Sequence, residues 1–162
     1  MIILGIDPGF DRLGWAVLEK KSGKEKLIDS GCLVSKRNLL YVERILGLGQ
    51  ELEKILKYFK PDIVAVEQLF FFKNQKTALK VAEARGVILY IAARNKACIY
   101  ELTPLEIKMA LTGYGRAEKQ QVQKMAMALL GLKNNPKYDD EIDAVAAAIA
   151  CPANKCLHKK VR

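Results

Sequence analysis

Residues 1–20 read MIILGIDPGFDRLGWAVLEK. The first apolar run, Ile2 to Ile6, ends on Asp7, and Pro8-Gly9 turns the chain at once into a second run from Leu13 to Leu18. No helical stretch separates the two, so they read as a strand pair joined by the turn around Pro8-Gly9. An Asp before Pro-Gly is a common turn residue. Here, however, it also ends a strand that looks buried on both faces.

Working outward, KKSGKEK reads as a polar hairpin turn and LIDSGCLV as a third strand. From Leu39 to Phe59 the residues Tyr41, Ile45, Leu48, Leu52, Ile55 and Phe59 follow helical spacing, and Pro61 stops the helix. DIVAVEQ is a short continuous apolar run, the pattern of a central parallel strand covered on both faces. Lys76 to Arg94 is expected to be helical, with Ala78, Val81, Arg85, Ile88 and Ala92 along one face. ACIYEL is a fifth strand, and Pro104 to Leu111, Glu118 to Leu130 and Asp140 to Ala150 close the chain as helices. The order βββαβαβααα predicts an α/β domain whose mixed five-stranded sheet joins an antiparallel meander to parallel crossovers, with helices flanking it.

Composition narrows the class. The 162 residues suit one domain, read as residues 1–152 with a short basic tail over 153–162. There is no internal repeat or linker, and no apolar run approaches the roughly 20 residues of a membrane span. A strand directly at the N-terminus argues against a secretory signal. Cys32 and Cys98 lie in apolar strand-like runs and read as reduced, buried thiols of a cytoplasmic protein. Cys151, Cys156 and His158 are too irregularly spaced for a zinc site. The chain carries 27 basic against 18 acidic residues, a formal charge of +9. Such a surplus suits a polyanionic partner, because Lys and Arg gain affinity by displacing counter-ions from phosphates.

Within this basic chain, acids stand at informative places. Asp7 and Glu67 each end an apolar strand, and if those strands are adjacent and parallel both carboxylates emerge at one sheet edge. In YDDEIDAVAAAIA, Asp140 and Asp143 are three apart and share a helix face near its N-terminus. Ala144, Ala146, Ala147, Ala148 and Ala150 would let that helix lie close on the sheet. Singly, acids in a first helical turn are common dipole partners, and Asp139 and Glu141 are read that way. Together, three or four carboxylates at one edge repel each other and call for a cation. Oxygen ligands without His or Cys favour a hard ion such as Mg²⁺ or Mn²⁺.

GIDPG, VAVEQLFFFKN, ALKVAEARG, LTPLEIKMALTGYGRAEKQQVQ and DDEIDAVAAAI together resemble the RuvC family of Holliday-junction resolvases, in order from about residue 1 to 152. The resemblance implies a ribonuclease-H-like fold and a homodimer. It also implies Mg²⁺-dependent cutting of four-way junction DNA, with two ions per site, Mn²⁺ as a substitute, and 5′-phosphate and 3′-hydroxyl products. RuvA and RuvB, which drive branch migration, are the family's usual partners. By motif, Asp7, Glu67, Asp140 and Asp143 match the metal-binding catalytic positions. Asp139 and Glu141 are close neighbours in the last block. Phe70 matches an aromatic that stacks on bases near the junction centre, with core packing as its ordinary alternative. Lys108 and Lys119 match basic residues that touch DNA near the cut, where each would otherwise be a solvated charge.

Rival readings remain open at this level. GIDPG is similar to the phosphate turn of actin-like ATPases and sugar kinases, but those need a second such domain. A YqgF-like nuclease shares the first strand pair. A catalytically silent junction-binding module would keep the basic surface without a reason to keep four acids.

Overall fold

The computed structural model describes residues 1–69, 75–134 and 136–153, with the side chains of 75 and 76 left aside. Phe70, Cys156, His158 and the basic tail from 154 onward lie outside the described residues. The element order is β1 (Ile2–Asp7), β2 (Arg12–Lys21), β3 (Lys24–Val34), α1 (Tyr41–Phe59), β4 (Ile63–Glu67), α2 (Gln75–Arg94), β5 (Cys98–Leu102), α3 (Pro104–Thr112), α4 (Lys119–Leu130) and α5 (Asp139–Ala150). This is the expected βββαβαβααα order, with most element ends shifted by a residue or two; the β2–β3 hairpin extends further than expected, β2 running on to Lys21 and β3 beginning at Lys24.

The five strands form one sheet in the order β3-β2-β1-β4-β5. β1 pairs antiparallel with β2 and parallel with β4, and β4 pairs parallel with β5. Two helical layers cover it. Leu4, Ile6, Val17, Val64 and Val66 pack on one face with Leu48, Leu52, Ile88 and Ile91 of α1 and α2. Ile3, Ala16, Leu18, Ile63 and Ala65 pack on the other with residues of α3, α4 and α5. Strand residues alternate faces. Asp7 and Glu67 therefore continue the rows Ile3-Gly5 and Ile63-Ala65, on the side that carries α5.

Local chemistry sets the element ends. Ser22 and Gly23, both with positive φ, turn β2 into β3. Lys60 ends α1 in the left-handed conformation just before Pro61. Thr103 and Glu106 form a reciprocal capping box at the start of α3, with Pro104 in the first turn.

Arg85, on the helix face with Ile88 and Ala92, is half-buried and ion-pairs with Glu101 of β5, while Ala84, Ile88, Ile91 and Ala92 are the buried residues of α2. One expectation needs correction. Cys32 and Cys151 are free thiols, but Cys98 is disulfide-bonded rather than reduced. An apolar strand run carries no signal for such a bond. No helix among the described residues is long and apolar enough to cross a membrane.

Candidate active site

β1 and β4 are in register, with Ile6 opposite Val66, so the next residue on each strand is a carboxylate: Asp7 and Glu67. The third and fourth acids arrive on α5. That helix crosses β1 and β2 where both are glycine. A Cβ on Gly5 would overlap the Ala144 carbonyl oxygen and stand 2.7 Å from the Ala148 nitrogen. One on Gly14 would overlap the Asp140 carbonyl oxygen. Small residues on both sides, the α5 alanines and the strand glycines, thus let two backbones touch and bring Asp140 and Asp143 to the carboxylate edge.

The electrostatics follow from this crowding. Burial pushes the Asp7 carboxyl well above the usual carboxylate range, and Glu67, Asp143 and Asp140 push it further against a pull from Lys119. Glu67 is pushed up to about 7, first by burial and then by Asp143, with Lys119 and Lys108 opposing. Asp143 accepts a hydrogen bond from Gln123 Nε2 at 3.0 Å and lies 2.7 Å from Lys119 Nζ. Asp140 Oδ2 lies 3.0 Å from Arg12 Nε, yet it is buried and accepts no hydrogen bond, so the contact is one of charge alone. The Arg12 guanidinium also sits over the Tyr138 ring, 5.6 Å from its centroid.

Glu67, Asp143, Lys108 and Lys119 line one cleft of about 300 Å³, together with Pro104, Ile107, Val122 and Ala146. Asp7 and Asp140 adjoin Glu67 and Asp143 electrostatically. Of the α5 neighbours, Asp139 is exposed, 3.7 Å from Lys119, and Glu141 accepts a hydrogen bond from Ser30 of β3 at 2.7 Å. Glu141 is thus a fastener between α5 and β3. Phe70 lies outside the described residues.

Sequence reasoning missed four supporting side chains. Arg12 and Gln123 attend the α5 acids. Arg85 donates to the Glu67 carbonyl oxygen at 3.4 Å and pairs with Glu101. Arg44 pairs with Asp11 and donates to Ser35 Oγ, while Ser35 Oγ donates to the Phe10 carbonyl oxygen, tying down the turn after Asp7. Only Arg12, five residues beyond Asp7, was within reach of a local reading.

The donors suit a hard cation. All four acids supply oxygen, and one of them, Asp140, keeps a buried oxygen without a hydrogen bond. Among the described residues no three acids, histidines or cysteines yet stand in a ready ligand arrangement. Asp143 and Asp140 instead face Lys119 and Arg12.

Comparison with known proteins agrees with this geometry. The family model for crossover junction endodeoxyribonuclease RuvC matches residues 3–151. A crossover junction endodeoxyribonuclease RuvC from Caldicellulosiruptor saccharolyticus is 49% identical over 150 residues, 92% of this chain and 90% of that protein. One from Halothermothrix orenii is 46% identical over 160 residues, 99% and 97% of the two chains. Thermus thermophilus RuvC in complex with Holliday junction substrate has a similar structure, with a TM-score of 0.86 and 33% identity over 93% of this chain and 92% of that one. The match runs over nearly the whole chain, and on it this chain belongs to the RuvC family of crossover junction endodeoxyribonucleases.

Proposed function

We propose that this chain resolves Holliday junctions in recombination and repair by paired, metal-dependent hydrolysis of DNA phosphodiester bonds. The observation that carries the reading is an acidic edge inside a basic chain: Asp7 in the field of Glu67, Asp140 and Asp143, beside the cleft of Lys108 and Lys119. The likeness to Thermus thermophilus RuvC, solved with a Holliday junction substrate, supports four-way DNA as the target.

Asp7, Glu67, Asp140 and Asp143 would hold two Mg²⁺ ions, with Mn²⁺ as a substitute, since an all-oxygen set suits hard cations. Ions bound there would supply an activated water and stabilise the leaving oxygen. The protein's own part is rigid mounting: two strand ends and one helix hold the acids in place. Lys108 and Lys119 would orient the phosphate, and Phe70 would stack on an unpaired base. The products would carry 5′-phosphate and 3′-hydroxyl ends.

Paired nicks call for two sites related by a two-fold axis, hence a homodimer. Exposed Val42, Leu46 and Tyr90 beside Ile45, Val87 and Ile91, on α1 and α2, support a self-association face there. RuvA and RuvB would be its partners and the bacterial cytoplasm its compartment.

The test is a synthetic four-way junction and a matching linear duplex, each incubated in Mg²⁺ and in chelator. Metal-dependent paired nicks confined to the junction are expected. Junction binding without any cut would support a silent binding module instead.

A further inference from the structure

Asp143 meets α4 through both of its carboxylate oxygens. Gln123 Nε2 donates to Oδ1 at 3.0 Å, and Lys119 Nζ lies 2.7 Å from Oδ2. The two α4 residues are four apart and so stand one above the other on one helix face. They differ in how firmly they are placed. Gln123 is a neutral donor in a part-buried contact. The Lys119 side chain is 56% exposed against 21% for Asp143, so it can swing into solvent without unpacking anything.

Local helix physics does not explain a lysine at this position. Lys119 is the first residue of α4, where the helix dipole opposes a positive charge. What favours it is the acidic edge: Asp143 at 2.7 Å and Asp139 at 3.7 Å, with Asp7 and Glu67 also within its field. Four crowded carboxylates need a cation, and a flexible ammonium has taken one of their oxygens.

We propose that Lys119 is the resident counter-ion of the metal-free site, holding Asp143 Oδ2 until a divalent cation takes that oxygen and frees the ammonium for a DNA phosphate. Gln123 keeps Oδ1 throughout and holds the carboxylate in its orientation. Metal and DNA then assist each other: the ion releases the lysine, and a phosphate gives the lysine a second partner. The inference rests on the metal assignment made above, and its test separates the two.

Mn²⁺ binding to the full chain without DNA is measured by titration calorimetry at pH 8 for wild type, Lys119→Met and Asp143→Asn. A partly exposed ion pair of ordinary strength should lower metal affinity by about five-fold, so Lys119→Met binds Mn²⁺ about five-fold more tightly than wild type. Asp143→Asn binds it more weakly than either. The melting temperature of Lys119→Met also gains more from Mn²⁺ than that of wild type, which a merely structural lysine would not produce. If Lys119→Met binds Mn²⁺ equally or less tightly while Asp143→Asn still weakens binding, the counter-ion role is wrong and the metal site stands. If neither wild type nor Lys119→Met binds Mn²⁺, the metal assignment itself falls. Should Lys119→Met fail to fold, Lys119→Gln gives the same comparison.

Discussion

The Gly14 α-carbon on β2 lies against the backbone oxygen of Asp140 on α5, so closely that one methyl group would overlap it. The position of an acid is thereby set by a residue with no side chain. Gly14→Ala must push α5 away from the sheet or fail to fold, as must Gly5→Ala through Ala144. Each should destabilise by about 3 kcal/mol or more, as expected when backbone is forced off backbone. Chemical denaturation of each variant checks the loss. A Gly14→Ala protein of wild-type stability would show that α5 does not sit where it is described.

Asp7→Asn, Glu67→Gln and Asp143→Asn keep side-chain shape and remove one negative charge each. Cleavage in Mg²⁺ should fall by orders of magnitude, since each loses a charge that holds an ion. Junction affinity in Ca²⁺ or chelator should hold or rise, because binding rests on Lys and Arg contacts elsewhere. Cleavage and gel-shift assays on the same preparations separate the two. Asp7→Asn cutting at the wild-type rate would end the nuclease assignment.

The raised carboxyls predict how the metal-free protein responds to pH. Asp7 and Glu67 both titrate above their ordinary values of 3.8 and 4.5, Glu67 at about 7. The folded state therefore holds protons that the unfolded chain has already released. Stability is greatest below about pH 4.5 for this contribution and declines as pH rises through about 7, by up to about 3 kcal/mol from Glu67. Melting temperatures in chelator across pH 5 to 8.5 should fall, and Glu67→Gln should flatten the slope. A wild-type melting temperature that rises across that range would contradict the burial of these acids.

Lys108 lines the cleft with Glu67 and Asp143. If it contacts phosphate, Lys108→Met weakens junction binding across sequences and lowers the slope of log affinity against log salt by about 1. An unchanged slope would make Lys108 an ordinary surface charge.

Arg44 joins Asp11, Ser35 and the loop carrying Phe10, directly after Asp7. Arg44→Met leaves the buried Ser35 and the partly exposed Asp11 short of a partner, at a cost of about 1–3 kcal/mol. Thermal melting checks the stability, and cleavage should fall further than the melting shift explains if the turn positions Asp7. Cleavage that tracks stability alone would make Arg44 purely structural.

Sequence alone determined the element order, the placing of Asp7 and Glu67 at strand ends and the acidic face of α5; that their two strands are parallel neighbours came from the structure. Each of these follows from a local period. Alternation within strands, spacing within helices and the turn residues Pro8, Gly9 and Pro61 are short-range signals that survive without a fold. The family motifs lie at the same places, because the acids sit where the elements end.

Only tertiary structure decided what holds those acids. The alanines of α5 predicted a close helix, but the matching glycines stand more than a hundred residues away on β1 and β2. Gln123 and Lys119 meet Asp143, Ser30 meets Glu141, and Arg85 meets Glu101 across elements whose pairing no local window contains. An ion pair depends on distance in space, and charge type at a sequence position carries none of it.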